Sequence, residues 1–401
     1  MRLLFVKDAL AWPRASGNDV HSYHMMRALA ELGHTVALAT VREPAPEAIC
    51  GLTLERCVTL DSVSVDANAP GPTLGYLQER FRSYWGVEPQ HIRAVRRISD
   101  EMQADAVVVV GLGVLPYLAG LVSPLRIWYA ADEWVWHHLS QTSWLRPHTW
   151  GNLQQSLIKG LYERVYGPLL DGIWVVSATD QRAMRWVSGA RGVDVIANGV
   201  DSDHFRPDAE PSVEHGCVFW GRLDFGPNVQ ALQWFCNNVW PLLHREVPSA
   251  RFTIYGFQPT AAVQALAGRD GITMIPDLPD LRGEVARYPV AVFPFVSGGG
   301  IKNKLLEAAA MGKAIVCTPR ATCGVRGGEL PFAQARRRGE WVQEIRSLWS
   351  DAARRRRLEQ AARQWVLEHH TWRLAADLAV ASLEDARRRS SGSVSRYSGQ
   401  E

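Results

Sequence analysis

The chain has 401 residues, more than one hydrophobic core usually serves, so two domains are expected. Its 47% hydrophobic and 21% charged residues are those of an ordinary globular protein, and a formal net charge of +3 with no basic stripe argues against nucleic acid as a partner. No apolar run approaches the roughly 20 residues of a membrane span, and MRLLFVKDAL is too short and too soon charged for a signal peptide, so a cytoplasmic protein with at most peripheral membrane contact is expected. The six cysteines (Cys50, Cys57, Cys217, Cys236, Cys317, Cys323) form no C-x-x-C pair and read as reduced, buried thiols. The sixteen tryptophans read as bulky core filler or as an aromatic acceptor surface.

In chain order, Arg2–Val6 reads as a strand, residues 12–17 as a Pro/Gly loop, and Asn18–Leu32 as an amphipathic helix with Val20, His24, Ala28 and Leu32 on one face. Val36–Thr40 is the next strand. This is a Rossmann-type half without G-x-G-x-x-G, so no dinucleotide fingerprint is present. His21, His24 and His34 have no metal-ligand spacing. Leu52–Leu60 suggests a strand, Ser62–Thr73 a loop, and Gly75–Met102 a helical stretch broken near Gly86–Pro89. The apolar run Ala106–Val110 has the composition of a buried parallel strand. Arg126–Ala131 follows and ends in Asp132-Glu133, acids placed where open α/β sheets bind ligands, with Trp134, Trp136, His137 and His138 next. Trp150–Leu170 reads as helix and Gly172–Val176 as strand.

The turn-rich Val195–Pro207 is the expected linker. Beyond it come strand Gly216–Trp220, helix Val229–Val239, strand Arg251–Tyr255, helix Thr260–Ala267, strand Ile272–Ile275 and helix Leu281–Arg287, an alternation that implies parallel sheets. Arg336–His369 is predicted helical, with RRRR at 354–357 as a solvated face; Trp372–Arg388 is the last helix, and the Ser/Gly-rich 390–401 a disordered tail. The expected division is 1–195, 196–370, a helix over 371–389 returning to the first domain, and the tail.

The stretch most informative about function is VAVFPFVSGGGIKNKLLEAAAMGKAIVCT, residues 290–318. It predicts a strand from Val290, a loop Ser297–Gly300 permissive of left-handed backbone, a helix capped by Asn303, a stop at Gly312 and a strand from Ala314. A helix start behind a glycine loop is an anion site. Three of the five lysines (Lys302, Lys304, Lys313) fall here, against thirty-nine arginines in the chain. Glu307, one turn into the helix, suits a sugar or ribose diol better than a phosphate. An ordinary βαβ connection with solvated lysines is the alternative.

Four blocks in combination resemble the retaining glycosyltransferases of family 4: ANGVDSDHFRP (197–207), FWGRLDFGPNVQALQWF (219–235), residues 275–318, and HTWRLAADL (370–378), with a weaker match at ASGNDVHSYHMMRALAELGHTVAL (15–38). A closer resemblance, carried by GGGIKNKLLEAAAMGK, is to sugar transferases of exopolysaccharide gene clusters. The resemblance implies the α/β GT-B fold, two Rossmann-like domains facing across a cleft with a C-terminal helix crossing back. It implies a hexosyltransferase of polysaccharide biosynthesis: a nucleotide sugar as donor, a glycan, lipid-linked or small-molecule acceptor, no cofactor and no metal. Residue by residue, Gly17 and Asn18 would present amides to the donor diphosphate and Arg222 would contact it. Leu278, beside Pro276 and Asp277, would lie by the base. Gly299, Gly300, Ile301, Lys302, Asn303 and Lys304 would form the donor loop. Glu307 would hold the ribose diol, and Asp132 would stand near the family's cleft His or Asp; both are the catalytic candidates.

Two departures matter. The first Glu of the family's Glu-x7-Glu motif falls at Gly299, and the lysine expected after the GRL block is Pro227; Lys302 and Lys304 are candidates to replace that charge. These departures leave two other readings, a non-catalytic GT-B-shaped nucleotide-binding protein and a nucleotide-sugar epimerase. A glycoside hydrolase needs two carboxylates flanking one bond, and no such pair is suggested.

Overall fold

The computed structural model describes residues 1–13, 17–66, 72–131, 150–190, 192–208, 210–278, 280–298 and 300–397. The chain forms two compact units, Met1–Ala197 with Trp372–Glu401, and Asn198–Thr371.

The first unit holds a seven-stranded sheet of β1 (Arg2–Lys7), β2 (Thr35–Thr40), β3 (Arg56–Thr59), β4 (Ala106–Val110), β5 (Leu125–Ala131), β6 (Gly172–Val175) and β7 (Val193–Val195). The order is β3-β2-β1-β4-β5-β6-β7, and every pairing is parallel. Ala106–Val110 is buried throughout, which explains its unbroken apolar sequence: helices cover both faces of a parallel sheet. The strand order reverses at β1, which pairs with β2 on one side and β4 on the other.

The helix Trp372–Tyr397 packs on the helix Gly17–Glu31 and on β5 and β6. Ala375, Ala376, Ala379, Leu383 and Ala386 recur at helical spacing and are buried, so small side chains admit the close approach. Trp174 Nε1 donates to Ser382 Oγ at 3.0 Å, and Ser382 Oγ donates to Asp194 at 2.6 Å. The helix continues to Tyr397, into the segment expected to be disordered.

The second unit holds β8 (Gly216–Trp220), β9 (Arg251–Gly256), β10 (Ile272–Pro276), β11 (Val290–Phe293), β12 (Ala314–Cys317) and β13 (Ala333–Gln334), ordered β10-β9-β8-β11-β12-β13. The reversal lies between β8 and β11, the Rossmann arrangement. Phe235 anchors an aromatic core with Phe252 at 5.0 Å, Trp341 at 5.5 Å and Trp240 at 6.4 Å between ring centroids. Trp128, Trp174, Trp220, Trp240, Trp341, Trp349, Trp365 and Trp372 are all buried, so core filling is the main use of this residue among the described positions.

Several expectations need correction. The strands β7 and β13 and the helices Ala178–Ser188 and Trp240–Glu246 were not signalled. The predicted helix Arg336–His369 is two helices, Arg338–Ser350 and Ala352–His369, broken at Asp351, whose carboxylate accepts from Arg354 N at 2.8 Å. The RRRR run is only half solvated. Arg354 bonds Glu344 at 2.6 Å and Arg355 donates to Leu348 O at 2.9 Å, while Arg356 and Arg357 are exposed. Only Cys217, Cys236 and Cys317 are buried; Cys50, Cys57 and Cys323 are exposed on short or peripheral segments, and all six are free thiols. Among the described residues no helix is long and apolar enough to cross a membrane.

Each unit buries a neutral histidine. His21 stands 6.0 Å from the Tyr129 ring and 5.6 Å from the Trp372 ring, and His370 is 1% exposed. Burial holds both at about 4, below the ordinary 6.5. The unfolded chain therefore takes up protons below pH 6.5 that the folded chain refuses until about pH 4. The stability present above 6.5 is lost as pH falls through that window, on the order of 3 kcal/mol per group. Melting temperature is expected to drop steeply from about pH 6.5 toward about pH 4, and less steeply in His21→Gln; equal slopes for the two proteins would contradict the assignment to His21.

Candidate functional site

In the second unit the strand order reverses at β8 and β11, so the loops leaving their carboxyl ends form the crevice where open α/β sheets bind ligands. The first loop is Gly221-Arg222-Leu223-Asp224. The second runs from Pro294 through Gly298 and Gly300 to the helix Asn303–Ala310. That helix starts one residue before the expected place: Lys302, in extended conformation, is the N-cap, and Asn303 is the first helical residue. Lys302 makes no side-chain cap bond to the first turn, and a helix start presents N–H groups to an anion.

Two glycines allow the loops to meet the lysines. Gly221 has φ +141°, and a Cβ there would collide with Lys304 Nζ. Gly298 has φ +90°, and its Cβ would lie 3.1 Å from Pro227 Cγ and 3.5 Å from Lys302 Nζ. Lys302 thus stands beside Pro227, the position where the family pattern has its lysine. Buried Ile301 anchors the loop between Gly300 and Lys302.

Lys304 Nζ donates to Asn228 Oδ1 at 2.9 Å and stands 4.9 Å from the Phe219 ring centroid and 5.5 Å from that of Phe295. Lys302 Nζ donates to Gly300 O at 3.3 Å and stands 5.6 Å from the same Phe295 ring. Burial pushes the Lys304 ammonium down to about 7; Glu307 opposes that shift and Lys302 adds to it. Glu307 Oε2 accepts from Trp220 Nε1 at 2.7 Å, which leaves Oε1 without a hydrogen bond among the described residues. Burial raises the Glu307 carboxyl above its ordinary value, against the pull of Trp220 and Lys304.

Arg222 is engaged by Asp224, through Nε at 3.0 Å and Nη2 at 2.6 Å, in a half-exposed pair that holds the guanidinium at the loop surface. Asn228 Nδ2 donates to Arg222 O at 2.7 Å, so one amide ties this loop to Lys304. Asn303 Oδ1 accepts from Asn198 Nδ2 at 2.8 Å. Leu278, half-buried, follows β10 at the same carboxyl edge. The structure therefore gathers Lys302, Lys304, Asn303 and Glu307 on one helix start and sets Arg222 on the facing loop. Gly17 and Asn18 belong to the first unit, where Gly17 opens the helix Gly17–Glu31 and Asn18 Oδ1 accepts from Lys7 Nζ, itself paired with Asp19 at 3.0 Å. Asp132 and Gly299 lie outside the described residues.

Sequence reasoning missed Trp220, Asn228, Asp224 and Asn198. Trp220 and Asn228 flank the GRL block, which was the available signal. No spacing rule joins Trp220 to Glu307, because the fold alone brings the two strands and the helix together. A separate cavity of about 700 Å³, lined by His215, Arg245, Arg346 and Trp349, shares none of these groups. Among the described residues no group of three His, Cys, Asp or Glu is placed to hold a metal ion. The arrangement suits a polyanion next to a hydroxylated ring: cations and free N–H groups meet the charge, and a half-satisfied carboxylate meets the hydroxyls.

Comparison with known proteins shows what this architecture is similar to. HepE from Anabaena, solved in complex with UDP, superposes with a TM-score of 0.65 at 12% identity over 96% of this chain and 100% of that one. Sucrose-phosphate synthase from Thermosynechococcus elongatus gives 0.64 at 15% identity over 97% and 100%. TarM, of S. aureus, gives 0.69 at 8% identity over 96% and 99%. No curated protein matches the chain. The chain thus has the two-domain GT-B fold of solved glycosyltransferases, and its residues 214–351, which include Arg222, Lys304 and Glu307, match the family described as Glycosyl transferases group 1.

Proposed function

We propose that the protein is a retaining hexosyltransferase-type glycosyltransferase. It moves a sugar from a nucleoside-diphosphate sugar to a glycan, lipid-linked or small-molecule acceptor, with no metal and no cofactor beyond the donor. One observation carries the reading: an uncapped helix start, two lysines and a carboxylate oriented by Trp220 converge at the strand-order reversal of the second unit. As the glycosidic bond breaks, negative charge grows on the departing diphosphate. Fixed cations and N–H groups in a poorly solvated place stabilise it, one well-placed donor supplying roughly 3 kcal/mol. Lys302 takes the role of the lysine replaced by Pro227, and Arg222 exchanges Asp224 for phosphate oxygen. Gly300, Ile301 and Asn303 shape the loop together with Gly299. Leu278 borders the base, Gly17 and Asn18 donate to the diphosphate, and Asp132 orients the acceptor. Polysaccharide biosynthesis in the cytoplasm, with at most peripheral membrane contact, completes the reading. HepE is also solved with UDP-glucose, which makes UDP-glucose the first donor to test. Release of UDP that depends on added acceptor and persists in excess chelator supports the proposal. Isomerisation of the donor, or binding without release, would replace it with an epimerase or a binding protein.

Glu307 and Trp220 give the sharpest test. Glu307→Gln is expected to weaken UDP binding roughly tenfold and 2′-deoxy-UDP much less, since a hydrogen bond to a charged group contributes ~1.5–3 kcal/mol. Trp220→Phe removes only the orienting N–H and should act in the same direction with smaller size. Calorimetry on both nucleotides closes the cycle, and equal losses for the two nucleotides would remove Glu307 from ribose recognition.

Lys304 sets a pH dependence. Above about 7 its amine loses the proton in the empty site, so UDP affinity is expected to fall as pH rises through and beyond that value. Lys304→Arg, which stays charged, should flatten the profile. The Lys302→Ala, Lys304→Ala double variant should raise the donor KM and lower kcat together. An unchanged kcat/KM would leave both lysines as surface charge.

A further inference from the structure

The chain passes between the two compact units twice, at Ala197–Asn198 and at Thr371–Trp372. Within the second unit the two passing segments are fastened to each other. Val200 N donates to His370 O at 2.8 Å, and Val200 and Thr371 form an isolated parallel bridge. His370 makes two more bonds from a buried position: Nδ1 pairs with Asn198 O at 2.9 Å, and Nε2 pairs with Arg326 N at 2.9 Å. A backbone carbonyl on one side and an N–H on the other allow one arrangement, the neutral ring with its proton on Nδ1. Trp365 stands 4.9 Å from the His370 ring and donates through Nε1 to Arg326 O at 3.1 Å, which closes the cluster.

Asn198 extends this junction toward the candidate donor site. It is 3% exposed, and its Nδ2 donates to Asn303 Oδ1 at 2.8 Å. Asn303 is the first residue of the helix that carries Lys304 and Glu307 and follows directly on Lys302. Asn198 Oδ1 is buried without a hydrogen-bond partner among the described residues. A buried amide that leaves one of its polar atoms unsatisfied costs stability, and the side-chain bond that Asn198 does make is the one to Asn303. The Asn198 bond holds the Asn303 side chain at the first position of that helix.

We propose that Asn198 is a positioning residue of the donor site: its amide locks the start of the Asn303–Ala310 helix to the two chain crossings, and nucleotide affinity depends on that lock. The inference rests on the proposed donor site. Asn198 touches no ligand in this scheme; it acts through Asn303 on the first-turn N–H groups and on the direction in which Lys302 and Lys304 project.

The test is a double-mutant cycle read by calorimetry with UDP, GDP and ADP, on full-length protein at a temperature where every variant is folded. Asn198→Ala and Asn303→Ala are each expected to weaken the nucleotide that binds wild type by about fivefold, and the double variant no more than either single one, because all three lack the same bond. Asn303 is half-exposed, so Asn303→Ala decides the matter if Asn198→Ala does not fold. A purely structural role lowers the melting temperature and leaves Kd unchanged, and that result overturns the inference, as do effects that add in the double variant. Wild-type protein that binds none of the three nucleotides overturns the proposed donor site and this inference with it. Wild-type binding with unaffected variants overturns this inference alone.

Discussion

The second unit is arranged around one close approach, that of the Lys304 ammonium to the backbone at Gly221. An ammonium packed between two phenyl rings and a strand end retains little water, and Asn228 Oδ1 replaces only part of what is lost. This geometry needs a residue without Cβ at 221, a short loop after β8 and a helix that begins right behind the glycine loop after β11. Each requirement constrains the others. A side chain at 221 would displace the lysine, and a later helix start would carry Lys304 away from Asn228.

A charge held in this way is poised. Desolvation weakens the protonated form of Lys304, and an anion placed beside it would favour that form again. The same logic applies to Glu307. Burial disfavours its ionised form, and Trp220 and Lys304 favour it, so the carboxylate stands between two opposing tendencies with one oxygen committed to Trp220. Arg222 differs in kind. Its pairing with Asp224 is partly exposed and contributes little to stability.

The first unit shows the same topology with other side chains. Lys7, at the end of β1, is held by Asp19 and Asn18 at the start of the helix Gly17–Glu31, so a buried cation again stands where the strand order reverses, this time with its carboxylate partner in place. The helix Trp372–Tyr397 lies against that unit because alanines at helical spacing let it approach β5 and β6, and the Trp174–Ser382–Asp194 chain of hydrogen bonds gives the approach one register.

Periodicity and composition alone determined that this is a two-unit α/β protein with parallel sheets. The buried strands Ala106–Val110 and Gly216–Trp220 were legible as apolar runs because parallel strands are covered on both faces, and the glycine loop before Lys302 was legible because left-handed backbone demands that residue type. Short elements escaped. The two-residue β13 and three-residue β7 have no pattern of their own and exist only because a neighbouring strand offers its edge. The Asp351 break was hidden inside a strongly helical composition, where a single capping carboxylate outweighs propensity. Glu307, Lys302 and Lys304 were visible as chemistry at a helix start. Their partners were not, because Trp220, Asn228 and Asn198 reach them from distant parts of the chain, and hydrogen bonds between distant segments follow from sheet order and packing, which local spacing does not encode.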